Sequence, residues 1–128
     1  MYRGGMNWST VGALALAVAV MLGAFGAHGL RGRLDQYSLG IYERAVFYHF
    51  VHALGLLVVP LFAKVGLVAP QAGTWVCVLL AAGIVLFSGS LYLLAVTGVR
   101  ILGAVTPIGG LAFIAAWLVL AWALTAGG

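Results

Sequence analysis

The side chains of this sequence whose type and spacing could do chemistry are its histidines. His49 and His52 stand three residues apart in Phe47-Tyr48-His49-Phe50-Val51-His52, and His28 closes an earlier apolar run. On a helix, imidazoles at i and i+3 share a face and can approach one metal, and His28 from a neighbouring helix would supply a third nitrogen ligand. Tyr48, Ser88, Ser90 and Tyr92 add hydroxyls, and Glu43 and Arg44 add charge. Two features argue against a metal or haem. Glu43 falls on the opposite side of the helix from the histidines, and no fourth ligand is in view. Hydroxyls and main-chain carbonyls can satisfy neutral imidazoles instead, so neither metal nor cofactor is expected. The expected partners of His49 and His52 lie on the first or third span. Cys77, the single cysteine, cannot form an internal disulfide, and the chain has neither Cys-x-x-Cys nor the Cys-x-x-Cys-His of covalent haem attachment.

The elements that must position these groups follow from composition. Of 128 residues, 65% are hydrophobic and 6% charged, and the mean hydropathy is +1.20. A hydrocarbon core about 30 Å thick needs roughly 20 apolar residues per helix, so the length suits four spans with short connections in one domain. The runs place them at about 8–28, 42–62, 74–96 and 106–125, an all-α integral membrane four-helix bundle with short loops. A cleaved signal peptide is the competing reading of the first run, which is too long for the apolar part of such a peptide. The net charge of +4 does not indicate nucleic acid, because the basic residues are scattered one or two per loop.

Small residues mark where helices should approach. Ala15, Ala19, Gly23 and Ala27 recur every fourth residue along the first span, Gly89 lies in the third, and Gly109 and Gly110 open the fourth. Asn7 or Ser9 should cap the first helix, Gly29 should stop it, and Thr106 should cap the fourth ahead of Pro107. In the second span Tyr42, Ala45, Tyr48, His49, His52 and Leu56 fall on one broad face at 100° per residue. With about 1.5 Å of rise per residue, His49 lies about 10 Å and His52 about 15 Å below the start of that span. The polar groups therefore gather in one half of the bilayer, on the side of the first and third loops. Those loops carry Arg31, Arg33 and Arg100, with Arg44 at the membrane edge, against Arg3 and Lys64 opposite. The positive-inside rule places both termini outside.

Four stretches carry a family resemblance: Gly23-Ala24-Phe25-Gly26-Ala27-His28-Gly29, Tyr48-His49 with His52-Ala53-Leu54, Phe87-Ser88-Gly89-Ser90-Leu91-Tyr92, and Thr106-Pro107-Ile108-Gly109-Gly110. On these the chain resembles the YgdD and transmembrane-protein-256 family of small four-span membrane proteins. The resemblance implies fold and membrane location, the bacterial plasma membrane among them. It implies no activity and no catalytic residue. From the residues themselves, a transporter would be expected to show inverted repeats, broken helices or polar groups across the full depth, and an enzyme a nucleophile, base and orienting group. The expectation is a non-enzymatic structural or accessory component of a membrane assembly. Its partners would be the lipid bilayer and a larger complex or a second copy of the chain. The alternative is a binder or carrier of a small amphiphile (a lipid or quinone) or a metal, in a one-sided polar pocket around His49 and His52, made by His28, Glu43, Arg44, Tyr48, His49, His52, Ser88, Ser90 and Tyr92.

Overall fold

The computed structural model of the chain describes residues 7–127. Four helices long and apolar enough to cross a membrane follow one another: Trp8–Leu30, Gln36–Lys64, Pro70–Thr97 and Arg100–Ala126. The protein is an all-α, integral membrane four-helix bundle. The first span is helix α1 (Trp8–Phe25) prolonged by a π-helical turn, Gly26–Leu30. The second is the continuous helix α2 (Gln36–Lys64). The third is α3 (Pro70–Gly83), a second π-helical turn (Ile84–Ser88) and α4 (Gly89–Thr97). A single 3₁₀ segment, Arg100–Ala104, leads into α5 (Thr106–Ala126).

The helix ends follow local chemistry. Asn7 accepts a hydrogen bond from the Thr10 amide and so starts α1. Asp35 does the same for the Ser38 amide at 2.7 Å, and α2 therefore begins at Gln36, six residues before the apolar run expected from 42. Proline in the first turn opens α3 and α5, where its missing amide costs no helical bond. Two expectations are corrected. Gly29 does not stop the first helix, which runs through it as a π-turn, and the left-handed turn residue is Gly32 at φ 90°. Thr106 does not cap α5; its hydroxyl is committed elsewhere, as described below.

The second and third spans form the centre, each with 39% of its apolar window buried, against 17% for the first span. One core cluster joins Leu56, Val59, Val76, Leu80, Phe113 and Leu120 of α2, α3 and α5. A second, toward the first and third loops, joins Leu30, Ile41, Tyr42, Ala45, Leu91 and Ala95. Large apolar side chains such as Leu14, Met21, Phe47, Leu111 and Leu118 stay exposed, as befits residues whose solvent is lipid.

Glycine lets main chain meet main chain at two places. A Cβ at Gly12 would stand 2.5 Å from the Leu57 amide nitrogen, and one at Gly109 would overlap the main chain of Leu86 and Phe87. The stripe expected along the first span is only partly its packing face. Ala19 is buried, Ala15 and Gly23 are half-buried, and Ala27 is exposed, with Gly26 buried in its place. Four residues advance the helix by about 400°, so a strict fourfold stripe drifts off the seam, which alternates steps of three and four. Gly89 and Gly110 are half-buried.

Candidate functional site

The helical face expected on α2 is the buried one: Tyr42, Ala45, His49, His52 and Leu56 are buried, and Tyr48 is half-buried. His49 presents Nδ1 to the Tyr92 hydroxyl of α4 at 2.8 Å, and its ring also neighbours the Ala15 main chain of the first span. It thus faces both spans named in the expectation. His52 does not. Its Nδ1 lies 2.7 Å from the Tyr48 carbonyl in its own helix. A carbonyl can only accept, so Nδ1 carries the proton and donates. The His52 ring lies flat against Phe113 of α5, with centroids 3.5 Å apart and planes 10° from parallel. Tyr48 stacks with His52 and Phe113, at centroid distances of 5.8 Å and 6.3 Å, and meets Phe87 at 4.5 Å with the planes tilted by 41°. His52 therefore belongs to an aromatic stack, and His49 to a hydrogen-bonded junction.

The serines extend that junction. Ser88, fully buried, donates to the Ala45 carbonyl of α2 at 2.8 Å. Ser90 and Thr106 share a hydrogen bond of 2.6 Å that joins the third span to the fourth. Tyr42 closes the set by donating to the Leu22 carbonyl of the first span at 2.5 Å. On the other side of the bundle, one hydrogen bond went unforeseen: Ser9 donates to the Leu57 carbonyl at 2.9 Å. Every fully buried side-chain nitrogen or oxygen among the described residues has a partner.

The π-turn at Ile84–Ser88 explains how Ser88 reaches α2. Buried positions in the third span run Val76, Leu80, Gly83 and then Ser88, a step of five. An uninterrupted α-helix would have turned Phe87 inward instead. The hydropathy pattern continues smoothly through the turn, so the sequence carries no signal for it.

Three residues counted with the polar cluster stand apart from it. His28, Glu43 and Arg44 are exposed. His28 sits in the π-turn at the end of the first span, and no group of three His, Cys, Asp or Glu side chains able to hold a metal occurs among the described residues. Neither His49 nor His52 lines any of the four principal clefts. Glu43 does line one, together with Arg31. Arg31 is the site residue that sequence reasoning used only for topology; its position one turn beyond His28 was the available signal.

A family model described as "Protein of unknown function (DUF423)" matches residues 22–110, a range that holds all four stretches carrying the family resemblance. A UPF0382 membrane protein of Staphylococcus epidermidis is 53% identical over 110 residues, covering 86% of this chain and 88% of that protein. The UPF0382 membrane protein YwdK of Bacillus subtilis is 49% identical over 112 residues, covering 86% and 89%. A Staphylococcus haemolyticus relative is 48% identical over 110 residues. No solved structure matches the chain.

Proposed function

The chain belongs to the family described as protein of unknown function DUF423, and we propose that it serves as a non-enzymatic structural or accessory component of a membrane assembly. The observation that carries this reading is the commitment of the deep polar side chains to one another. His49 with Tyr92, Ser88 with the Ala45 carbonyl, and Ser90 with Thr106 each spend their hydrogen bonds across spans. In a bilayer such bonds average about 0.6 kcal/mol and reach about 1.7, so they choose which helices meet and at what level more than they add stability.

The reading places the chain in a bacterial plasma membrane with both termini outside. Arg31, Arg33 and Arg100 at one end of the bundle, with Arg44 at its edge, support that orientation over Lys64 at the other; Arg3 lies outside the described residues. Metal analysis and a visible spectrum of gently solubilised protein, alongside native gel migration, test the function. The expected outcome is no stoichiometric metal or chromophore and migration as a species larger than one chain. A bound metal or haem lost in both His49→Gln and His52→Gln would overturn it, as would a lone chain in native membranes.

A further inference from the structure

We propose that the cleft between the ends of the first and second spans binds a glycerophospholipid whose headgroup joins a phosphate to a primary ammonium, as in phosphatidylethanolamine. The cleft has a volume of about 140 Å³. Gly23, Gly26 and Ala27 form one wall and Val46 another, with Tyr42 between them, and its charged groups are Arg31 and Glu43. A cavity of about 150 Å³ holds a benzene-sized molecule, so this one admits a headgroup and leaves the acyl chains in the bilayer beside it.

Depth puts the cleft where headgroups lie. The second span has 29 residues and is about 43 Å long at ~1.5 Å per residue, so about 13 Å of it stands outside a ~30 Å hydrocarbon core. Its polar start, Gln36 to Arg44, is that excess. Glu43 and Arg31 consequently sit at the level of lipid phosphates and amines.

Charge selects the occupant. Arg31 and Glu43 line the same cleft, yet no ion pair joins them among the described residues. The Tyr42 hydroxyl is already held by the Leu22 carbonyl, which leaves the guanidinium and the carboxylate as the charged groups that meet a ligand. Arg31 suits a phosphate, which it can hold with paired N–H donors. Glu43 accepts charge-assisted hydrogen bonds from a primary ammonium, is offered only uncharged hydroxyls by the glycerol of phosphatidylglycerol, and finds no N–H to accept on a quaternary amine.

The full chain, purified in mild detergent, is titrated with phosphatidylethanolamine, phosphatidylglycerol and phosphatidylcholine of identical acyl chains, and bound lipid is counted by native mass spectrometry. Phosphatidylethanolamine should bind about fivefold more tightly than either other lipid, the worth of one exposed charged contact. Glu43→Gln should erase that preference. Arg31→Gln should weaken all three lipids, since each carries the phosphate. Both positions are exposed, and unchanged melting of the two variants verifies that the bundle is intact. Equal binding of the three lipids by the native chain overturns the proposal, and so does a preference that survives Glu43→Gln.

Discussion

At the scale of residues, the two histidines that look equivalent in sequence are not. His49 is a junction: losing its ring nitrogens strands the Tyr92 hydroxyl inside the bundle, and an unsatisfied buried hydroxyl costs about 1–3 kcal/mol. His52 donates to the Tyr48 carbonyl, which belongs to its own helix, and otherwise contributes a flat ring against Phe113. His49→Phe should therefore lower unfolding stability by about 1–2 kcal/mol, while His52→Phe, which keeps the stacked ring, should change it by less than about 1 kcal/mol. Equal losses in denaturant melts of the two variants would show that His52 holds more than a stacking position. Spacing placed both histidines on the buried face. It could not reveal which would find a partner on another helix, because that depends on what the first and third spans present at each level.

At the scale of elements, helix contacts are set by where a main chain meets a glycine. Gly109 and Gly110 are neighbours in sequence with opposite surroundings: a Cβ at Gly109 would run into the Leu86–Phe87 main chain, whereas one at Gly110 would stand 3.7 Å from the Phe87 ring, an ordinary contact. Gly109→Ala should destabilise by about 1–3 kcal/mol, as overpacking does, and Gly110→Ala should be close to neutral. Thermal melts of the pair in one detergent make the comparison. The start of α2 offers a pH test. Hydrogen bonding to Ser38 holds the Asp35 carboxyl below its usual value of 3.8. A carboxyl lowered by folding adds stability above its unfolded value and loses it as pH falls through the folded one. Between neutral and strongly acid pH the native chain should lose stability that Asp35→Asn, which keeps a capping oxygen, does not lose. Parallel acid slopes for the two proteins would contradict this.

These elements also show what was legible in the sequence. Four spans and the buried face of α2 follow from apolar length and period, which tertiary contacts leave intact. The early start of α2 is hard to read because Tyr37, Ser38 and Gly40 look like loop residues, although Asp35 is a favoured N-cap residue type and accepts from the Ser38 amide. Both π-turns were hidden because an added residue changes which side chain faces inward without changing composition.

At the scale of the whole molecule, polarity is distributed unevenly along the bundle axis. Hydrogen bonds of Tyr42, His49, Ser88 and Ser90 join all four spans between the middle and the first and third loops, and Ser9 makes a cross-span bond that lies toward the other end. The loop arginines cluster at that same polar end, so a reporter fused after Gly128 should be active only in an exported position; activity in the cytoplasm would reverse the orientation. In this arrangement the side chains work as ties between spans. A double-mutant cycle on His49 and Tyr92, using His49→Phe, Tyr92→Phe and the double variant in reversible unfolding, measures one tie directly. A favourable coupling of about 0.6–1.7 kcal/mol is expected, and a coupling indistinguishable from zero would show that the two side chains adjoin without tying the spans.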